Sequence, residues 1–331
     1  MTLSAPDLNA HVYSIPLRSQ LRDLTAREGV LLEGPAGWGE FCAFVEYDDL
    51  ECIAWLEAAV EQCTTPWPAP VRDRIPVNCI IPTVGPDEAR RIAAETTCRT
   101  AKLKVATHPD SLAEDIARVE AVRDGLGPGG AIRIDANCLW DVDTAVRNIK
   151  QLDVAAGGLE YVEQPCVTLE KLAAVRRRVD VRIAADESIR RAEDPLKVAV
   201  AGAADLAIIK PAPLGGIRRS LEVAEAAKLP CVVTSTIGTS IDVATSVALA
   251  AALPELDFAC GLDTLSLLTG DVIADTTTFR PVDGFITVPS TKPQPTPELL
   301  QEFAPADQAR IEWWLSRLHR VTAELNRRHD R

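Results

Sequence analysis

The chain has 331 residues, a formal net charge of -13, 47% hydrophobic residues and 25% charged residues, a balance typical of a folded globular protein. This negative charge argues against nucleic-acid binding, because contact with a phosphate backbone needs a basic face. No apolar run reaches the roughly 18 to 20 residues that span a bilayer, and residues 1–18 lack a secretory pattern, so we expect a cytoplasmic protein without a membrane partner.

The first 75 residues predict one part of an α+β domain. Short strand-like pieces, Val30–Leu32 and Ala43–Val45, lie on either side of a glycine-rich turn at residues 34–39. A helical stretch follows at Leu50–Gln62, and the proline cluster Pro66–Pro70 marks a natural boundary.

The central part of the chain repeats one pattern: a short apolar run, a turn, and an alanine-rich amphipathic stretch. The runs predict eight strands, namely Val77–Ile81, Ala101–Val105, Ala131–Asp135, Leu159–Glu163, Arg182–Asp186, Leu206–Lys210, Cys231–Ser235 and Asp257–Gly261. The stretches predict helices at Pro86–Thr97, Ser111–Asp124, Thr144–Gln151, Leu169–Arg178, Ile217–Lys228 and Ser240–Leu253. Eight strands separated by helices favour a closed α/β barrel over an open dinucleotide-binding sheet, which has about six strands.

The segment after the last predicted strand indicates a return to the first domain. The chain passes Asp283–Pro289 and a proline-rich stretch to Pro297, and Pro305–Arg328 has a helical pattern. We therefore predict a capping domain made of residues 1–75 and 271–331, which covers one end of a barrel formed by residues 76–270.

Cysteine and histidine usage argues against several common kinds of site. The nine cysteines include no Cys-x-x-Cys pair and are odd in number, so we expect small buried residues rather than disulfides. The four histidines are His11, His108, His319 and His329, too scattered for a zinc motif or a nearby catalytic triad. The catalytic base is therefore expected to be another residue.

The ends of the predicted strands carry the candidate chemistry, because catalytic groups of barrels gather at the C-terminal ends of the strands. In chain order these positions are Lys104, Asp135, Glu163, Asp186, Lys210, Ser235 and Gly261. Each is about one βα unit from the next. The regular spacing predicts that three carboxylates and two lysines meet in one ring.

Asp135, Glu163 and Asp186 are the candidate metal ligands. Three oxygen donors from adjacent strands suit a hard divalent ion, Mg²⁺ or alternatively Mn²⁺, whereas zinc prefers imidazole or thiolate. Without a cation, three converging carboxylates would repel one another and raise their pKa values. The alternative is that each acid only ends its strand or caps the next helix.

Two lysines on one predicted strand supply the candidate base. Lys102 and Lys104 are two residues apart, so both side chains are expected to point into the barrel. A neighbouring cation lowers a lysine pKa, which favours Lys104 as a neutral base facing the metal. Arg133 and Asn137 continue the inward alternation and are candidates for hydrogen bonds to a ligand or substrate, or for a structural role.

Taken together, these motifs resemble a known family. Lys102-Leu-Lys104, Arg133-Ile-Asp-Ala-Asn137, Glu163-Gln-Pro165, Ala185-Asp-Glu-Ser188 and Ile208-Ile-Lys-Pro211 are similar to motifs of the enolase superfamily, muconate lactonizing enzyme subgroup. The resemblance covers essentially the whole chain. It implies a (β/α)₇β TIM-like barrel with an α+β cap built from both chain ends, and a lysine with Mg²⁺ that stabilises an enediolate.

A narrower resemblance concerns the reaction. Val233-Thr-Ser-Thr-Ile237 and Gly261-Leu-Asp-Thr264 are most similar to the o-succinylbenzoate synthases, lyases of menaquinone biosynthesis. These dehydrate 2-succinyl-6-hydroxy-2,4-cyclohexadiene-1-carboxylate to 2-succinylbenzoate. The resemblance implies that Lys104 removes the proton α to the carboxylate and returns it to the departing hydroxyl, while Lys210 stabilises the intermediate by its charge.

The same resemblance implies roles for the surrounding residues. Lys102 would tune Lys104, and Ser235, Thr236 and Gly261 would hold the succinyl tail. A substrate-facing loop of the cap is expected within Pro16–Thr25, where Arg18 and Arg22 are available for a carboxylate. These two arginines are equally compatible with a flexible surface role.

Three other interpretations stay open. An N-succinylamino acid racemase or dipeptide epimerase would use the same metal, with Lys104 and Lys210 as bases on opposite faces. A Schiff-base aldolase would use either lysine covalently, and a non-catalytic barrel would only bind a ligand. In every enzymatic interpretation we expect a small carboxylate substrate and a monomer or weak homo-oligomer.

Overall fold

The computed structural model describes residues 8–21, 24–190, 202–275 and 277–329. Its N-terminal part is a three-stranded antiparallel sheet, β1 (Asn9–Leu21), β2 (Leu24–Gly34) and β3 (Gly37–Phe41), followed by α1 (Ile53–Thr64). The strand predicted at Ala43–Val45 is wrong, because this segment is a loop and the third strand begins inside the glycine-rich turn. Glycine is needed there, since a Cβ on Gly39 would lie 2.0 Å from the Ala59 carbonyl oxygen of α1.

The barrel is one parallel sheet whose strands are neighbours in chain order. After β4 (Arg74–Pro76) come β5 (Cys79–Ile81), β6 (Thr100–Lys104), β7 (Ala131–Asp135), β8 (Tyr161–Glu163), β9 (Ile183–Ala185), β10 (Leu206–Ile209) and β11 (Cys231–Val233). The predicted eighth strand is reduced to two parallel bridges, Cys260 with Val77 and Gly261 with Thr234. These bridges join β11 to the chain before β5, so the ring closes. β12 (Phe285–Thr287) pairs with β4 outside the ring.

Helices follow the strands, as the alanine-rich stretches predict. They are α2 (Pro86–Glu95), α3 (Leu112–Leu126), α4 (Val142–Ala156), α5 (Leu169–Arg176), α6 (Glu187–Arg190), α7 (Pro211–Leu214), α8 (Ile217–Ala227), α9 (Ser240–Ala252), α10 (Pro297–Glu302) and α11 (Gln308–His329). The ends of α4 show why such helices form where they do. Asp141 accepts a hydrogen bond from the Thr144 amide at 2.8 Å, and Gly157 ends the helix with a left-handed φ of 62°.

The cap is completed by the C-terminal helix, as predicted. α11 packs on β1, β2 and α1, and its buried Arg317 donates hydrogen bonds to the main-chain oxygens of Ala43, Phe44 and Tyr47 at 3.2, 2.8 and 2.6 Å. α9 lies between the cap and the barrel, which explains why its side chains are buried all round. The domain boundaries at residues 75 and 270 stay a prediction.

Two expectations from composition are met in the described ranges. No helix there combines the length and apolar character that crossing a membrane requires. All nine cysteines are free thiols, and eight of them are buried, which fits their predicted role as small core residues.

Candidate active site

A cavity of about 460 Å³ opens between the cap and the C-terminal ends of the barrel strands. Its volume is typical of small-molecule sites, which span roughly 300 to 1,000 Å³. The predicted site residues that line it are Lys102, Lys104, Asp135, Asn137, Asp186, Lys210, Ser235, Thr236 and Gly261. Glu163 lies just behind this wall, fully buried against Lys102.

The two lysines of β6 each contact an acid on a following strand. Lys104 Nζ lies 2.5 Å from Asp135 Oδ2 and donates to Asn137 Oδ1 at 2.9 Å. Lys102 Nζ lies 2.6 Å from Glu163 Oε2 and 3.1 Å from Asp135 Oδ2. The parallel register explains these pairs, because it sets Lys104 opposite Asp135 and Asp135 opposite Glu163.

Asp186 is held from the other side of the cavity. Its Oδ2 lies 2.5 Å from Lys210 Nζ, and its Oδ1 accepts from Arg190 Nε at 3.2 Å. Arg190 also donates to Glu187 at 2.8 Å and to the Tyr47 hydroxyl of the cap at 2.6 Å. The prediction missed Arg190 and Tyr47. Arg190 has a sequence signal, its place one helical turn after Asp186, whereas nothing local marks Tyr47.

Burial and neighbouring charges move the lysine pKa values in opposite directions. Burial lowers the pKa of Lys104, and Lys102 lowers it further, against the opposing effect of Asp135. Burial also acts against charge on Lys102, but Asp135 and Glu163 outweigh it and hold the pKa of Lys102 well above its usual value. Of the two, Lys104 is therefore the better suited to act as a neutral base.

The lysines offset most of the expected repulsion among the acids. Burial tends to raise the pKa of Asp135, but Lys102 and Lys104 bring it well below its usual range. Lys210 and Arg190 likewise overcome burial and lower the pKa of Asp186. For Glu163, burial and Asp135 prevail and raise the pKa to about 7. Of the three acids, only Glu163 therefore shows the predicted rise in pKa.

The donor set of the three acids suits a divalent ion, although their side chains do not enclose a metal position. Among the described residues, no three His, Cys, Asp or Glu side chains form a group that could hold a metal ion; the acids instead contact the three lysines. Glu163 Oε1, however, is buried without a hydrogen-bond partner in this part of the chain. A buried carboxylate oxygen of this kind needs a compensating group. Metal binding by Asp135, Glu163 and Asp186 therefore stays a prediction.

Arg133 lies beneath the cavity rather than in its wall. Its guanidinium pairs with Glu160, donates to Asn78 Oδ1 at 3.1 Å and to the Ala259 carbonyl at 2.6 Å, and lies 4.7 Å from the Tyr161 ring centre. The structure contradicts the predicted substrate contact, because a residue two positions before the strand end points one layer deeper into the barrel. We therefore expect a structural role for Arg133, the alternative that the sequence left open.

One wall of the cavity is rich in hydroxyl groups. Ser235 Oγ and Thr264 Oγ1 lie 2.6 Å apart, and Thr234 Oγ1 is buried with no hydrogen-bond partner among the described residues. Gly261 faces Thr234 so closely that a Cβ there would lie 2.8 Å from Thr234 Cγ2. Thr264 thus extends the predicted set of hydroxyl groups. Thr236 differs, since its amide and hydroxyl both donate to Asp242.

The cap contributes a mainly apolar wall. The cap residues that line the cavity are Leu24, Phe44, Val45, Glu46 and Trp55. From the described part of the predicted loop Pro16–Thr25, only Leu24 is among them; Arg18 is exposed and outside the wall, and Arg22 lies outside the described residues. Residues 44–46 were missed because their apolar pattern predicts a strand.

Left-handed backbone at non-glycine residues clusters at this end of the barrel. Ala106, Asn137, Cys138, Gln164 and Ile237 follow strand ends with φ between 40° and 68°. Each such conformation costs roughly 1 to 3 kcal/mol and persists only where the surroundings fix it. Gln164 shows how, because its Oε1 accepts from the amides of Asp186 at 2.8 Å and Ser188 at 3.2 Å. Backbone strain thus occurs at residues of the candidate site whose conformation is fixed by their surroundings.

Two family models match the chain. The model described as enolase N-terminal domain-like matches residues 12–63, and the model described as enolase C-terminal domain-like matches residues 86–293. The o-succinylbenzoate synthase of Thermobifida fusca (strain YX) is 57% identical over 281 residues, which are 85% of this chain and 87% of that protein. The o-succinylbenzoate synthase of Mycolicibacterium smegmatis is 48% identical over 309 residues, or 93% of each chain.

Solved structures show the same fold at lower identity. Muconate lactonizing enzyme from Pseudomonas fluorescens, complexed with muconolactone, superposes with a TM-score of 0.78 at 20% identity, covering 90% of this chain and 98% of the other. Dipeptide epimerase from Enterococcus faecalis, complexed with Mg and the dipeptide L-Leu-L-Tyr, gives a TM-score of 0.72 at 21% identity, covering 86% and 97%. The predicted barrel with an α+β cap is confirmed.

Proposed function

The chain belongs to the enolase superfamily, and we propose that it dehydrates 2-succinyl-6-hydroxy-2,4-cyclohexadiene-1-carboxylate to 2-succinylbenzoate, a step of menaquinone biosynthesis. The name shared by its curated relatives supports this substrate. The observation that carries the proposal is the arrangement of Lys104 on Asp135 and Lys210 on Asp186 in one cavity. Each face of the substrate carbon next to the carboxylate would then lie opposite one lysine.

Lys104 is the base of the proposed reaction. Its neutral Nζ takes the proton from the ring carbon α to the carboxylate, and Asp135 and Asn137 hold that nitrogen in place. The resulting electron pair forms a ring double bond as the C–O bond to the hydroxyl breaks. The Lys104 ammonium returns its proton to the departing hydroxyl, which leaves as water. One proton is therefore transferred from the ring carbon through Lys104 to the leaving hydroxyl group, and the ring becomes aromatic.

Lys210 faces the reacting centre from the other side. Held by Asp186 at 2.5 Å, it places an ammonium where negative charge develops as the proton is removed. Ser235 and Thr264 supply hydroxyl groups for the succinyl tail, and the apolar cap residues exclude water from the ring. The wall is closely packed at this point, since a Cβ on Gly261 would lie 2.8 Å from Thr234 Cγ2.

Asp135, Glu163 and Asp186 would hold a divalent ion in this proposal, Mg²⁺ or Mn²⁺, which supplies Lewis-acid stabilisation of the substrate carboxylate when bound. Three observations support it: the oxygen donor set, the orphaned Glu163 Oε1, and the Mg named with the dipeptide epimerase. A cation would also compensate the cost of keeping Glu163 ionised in a buried site. A cytoplasmic location and a monomer or weak oligomer stay predictions.

A racemase or epimerase is the second candidate, because two lysines on opposite sides of one site also permit removal of a proton from one face and its return to the other. Deuterium exchange separates the two. The purified protein is incubated with Mg²⁺ in D₂O with either the cyclohexadiene carboxylate or an N-succinylamino acid. We expect loss of the diene absorbance with the first substrate; exchange into the second without any dehydration of the first would favour racemisation.

A further inference from the structure

The loop after β11, residues 234–239, carries the hydroxyl-rich wall of the cavity. Thr236 and Ile237 both line it. Ile237 adopts a left-handed φ of 64°, a conformation that a β-branched residue adopts only under constraint. Contacts from outside the loop must therefore fix its shape.

Asp242, the third residue of α9, holds this loop from the barrel side. Its Oδ2 accepts hydrogen bonds from the Thr236 amide at 3.0 Å and from the Thr236 hydroxyl at 3.2 Å. Asp242 is only 4% exposed, so these bonds replace those that water would otherwise make. The Thr236 hydroxyl directs its proton to Asp242 and not to the cavity.

Glu40 reaches the same helix end from the cap. From β3 its carboxylate accepts from the Thr239 hydroxyl at 2.6 Å, from the Thr239 amide at 3.1 Å and from the Asp242 amide at 3.0 Å. Tyr13 of β1 donates its hydroxyl to the same group. A side chain of the capping domain thus accepts hydrogen bonds at the N-terminus of a barrel helix, where the first-turn amides favour a carboxylate.

The close approach of these groups is built into the chain. A Cβ on Gly238 would lie 2.4 Å from Asp242 Cβ and 2.7 Å from Glu40 Oε1, so only glycine admits both acids against the loop. Burial and Asp242 raise the pKa of Glu40, and burial raises the pKa of Asp242. The charge of the buried Arg27 opposes the rise at Asp242 without overcoming it. Two adjacent buried acids therefore remain costly, which makes a purely stabilising role a poor explanation.

We propose that Asp242 is a positioning residue for the substrate tail. By accepting hydrogen bonds from the amide and the hydroxyl of Thr236, it fixes the loop so that Ser235 presents its hydroxyl to the cavity beside Thr264. Glu40 links the same helix end to the capping domain. The inference rests on the proposed function, because the tail that meets these hydroxyls is that of the proposed substrate. Thr236 acts on the substrate through its bond to Asp242 and not by direct contact.

A double-mutant cycle on Asp242→Ala and Thr236→Val tests this inference. Each single variant is expected to raise KM for the cyclohexadiene carboxylate by about tenfold, the worth of one or two hydrogen bonds, with kcat within about threefold because both lysines are untouched. The double variant should resemble Asp242→Ala, because that substitution already removes the hydroxyl bond that Thr236→Val removes. Asp242→Asn, which keeps an acceptor for the Thr236 amide, should restore part of the loss.

Thr245→Val is the matched control, since this buried threonine on the same helix donates to the Ile241 carbonyl at 3.1 Å and not to Asp242. It should leave KM unchanged. If the KM effects of the two substitutions multiply in the double variant, the inference is overturned, because that result would mean that Thr236 contacts the substrate directly. If Asp242→Ala does not fold, Asp242→Asn with Thr236→Val completes the cycle with the same two outcomes. Absence of turnover by the unmodified enzyme would instead overturn the proposed function and this inference with it.

Discussion

Lys104 Nζ and Asp135 Oδ2 lie 2.5 Å apart because β6 and β7 pair in parallel with these two residues in register. The pair brings together the expected base and an expected metal ligand. Burial lowers the pKa of Lys104 but opposes the lowered pKa of Asp135, which results from the charges of Lys102 and Lys104. The geometry of two strands thus sets the chemistry of both groups.

Replacing Lys210 tests the charge that faces the reacting centre. Lys210→Ala removes the ammonium 2.5 Å from Asp186, and we expect kcat to fall by about 10²- to 10³-fold, the usual effect of losing one electrostatic stabiliser. Steady-state kinetics with the cyclohexadiene carboxylate provide the measurement. Lys150→Ala, on the exposed face of α4, is the control and should match the unmodified enzyme. A kcat within threefold would exclude the proposed role.

Replacing Glu163 tests the metal site independently of turnover. Glu163→Gln removes a charged oxygen donor, so the affinity for Mn²⁺ should fall by at least tenfold, since even residues that only support metal ligands change affinity by about 10- to 100-fold. Electron paramagnetic resonance of free Mn²⁺ measures the dissociation constant. The exposed Glu170→Gln variant should bind as the unmodified chain does. Equal affinity in the Glu163→Gln variant would remove Glu163 from the ligand set.

Arg133 is expected to matter for stability rather than for substrate binding. Arg133→Met leaves Glu160 without its buried partner and removes the bonds to Asn78 and Ala259. Breaking a buried ion pair in this way costs about 3 to 5 kcal/mol. Urea unfolding should show this loss, with KM of the folded variant unchanged. Arg99→Met, at an exposed arginine, serves as the control; a raised KM for Arg133→Met at unchanged stability would contradict the structural role.

Asp263 gives the chain a pH-dependent stability. Burial raises its pKa to about 7, so the folded state favours the protonated form. Its contribution is fully present below about pH 4 and is lost as the pH rises towards 7. Asp263→Asn should therefore match the unmodified chain at pH 4 and exceed it above pH 7, by up to about 4 kcal/mol at 1.36 kcal/mol per pKa unit.

Urea unfolding at pH 4, 5.5 and 8 measures this difference. The exposed Asp110→Asn variant is the control for removal of a surface carboxyl group. A difference for Asp263→Asn that shrinks with rising pH would have the wrong sign for a raised pKa.

Much of the barrel and its ring of charged residues follows from local pattern. Strand ends recur about once per βα unit, so the register that joins Lys104, Asp135 and Glu163 is implicit in their spacing. The depth of a side chain within the barrel is harder to predict from the sequence, because alternation alone does not show that Arg133 lies one layer below Asp135. The predicted strand at Ala43–Val45 failed for a related reason, since an apolar loop that lines a cavity has the same local pattern as a strand.

Contacts between the cap and the barrel could not be predicted from the chain. The Arg190–Tyr47 bond joins residues 143 positions apart, and the bond between Asp242 and Glu40 joins residues 202 apart. Neither pair has a local signature, because the residues meet only after both domains have folded and docked. The side chains that join the two domains at the site are consequently visible only in the structure.

The most direct measurement is the rate of diene loss from 2-succinyl-6-hydroxy-2,4-cyclohexadiene-1-carboxylate with Mg²⁺, for the unmodified chain and for Lys104→Ala. We expect turnover by the unmodified chain, its loss with EDTA and recovery with added Mg²⁺, and a kcat about 10²- to 10⁴-fold lower for Lys104→Ala, the range for loss of a general base. Retained binding of 2-succinylbenzoate by the variant would show that the site is intact. Turnover that survives EDTA, or a Lys104→Ala variant within tenfold of the unmodified enzyme, would contradict the account.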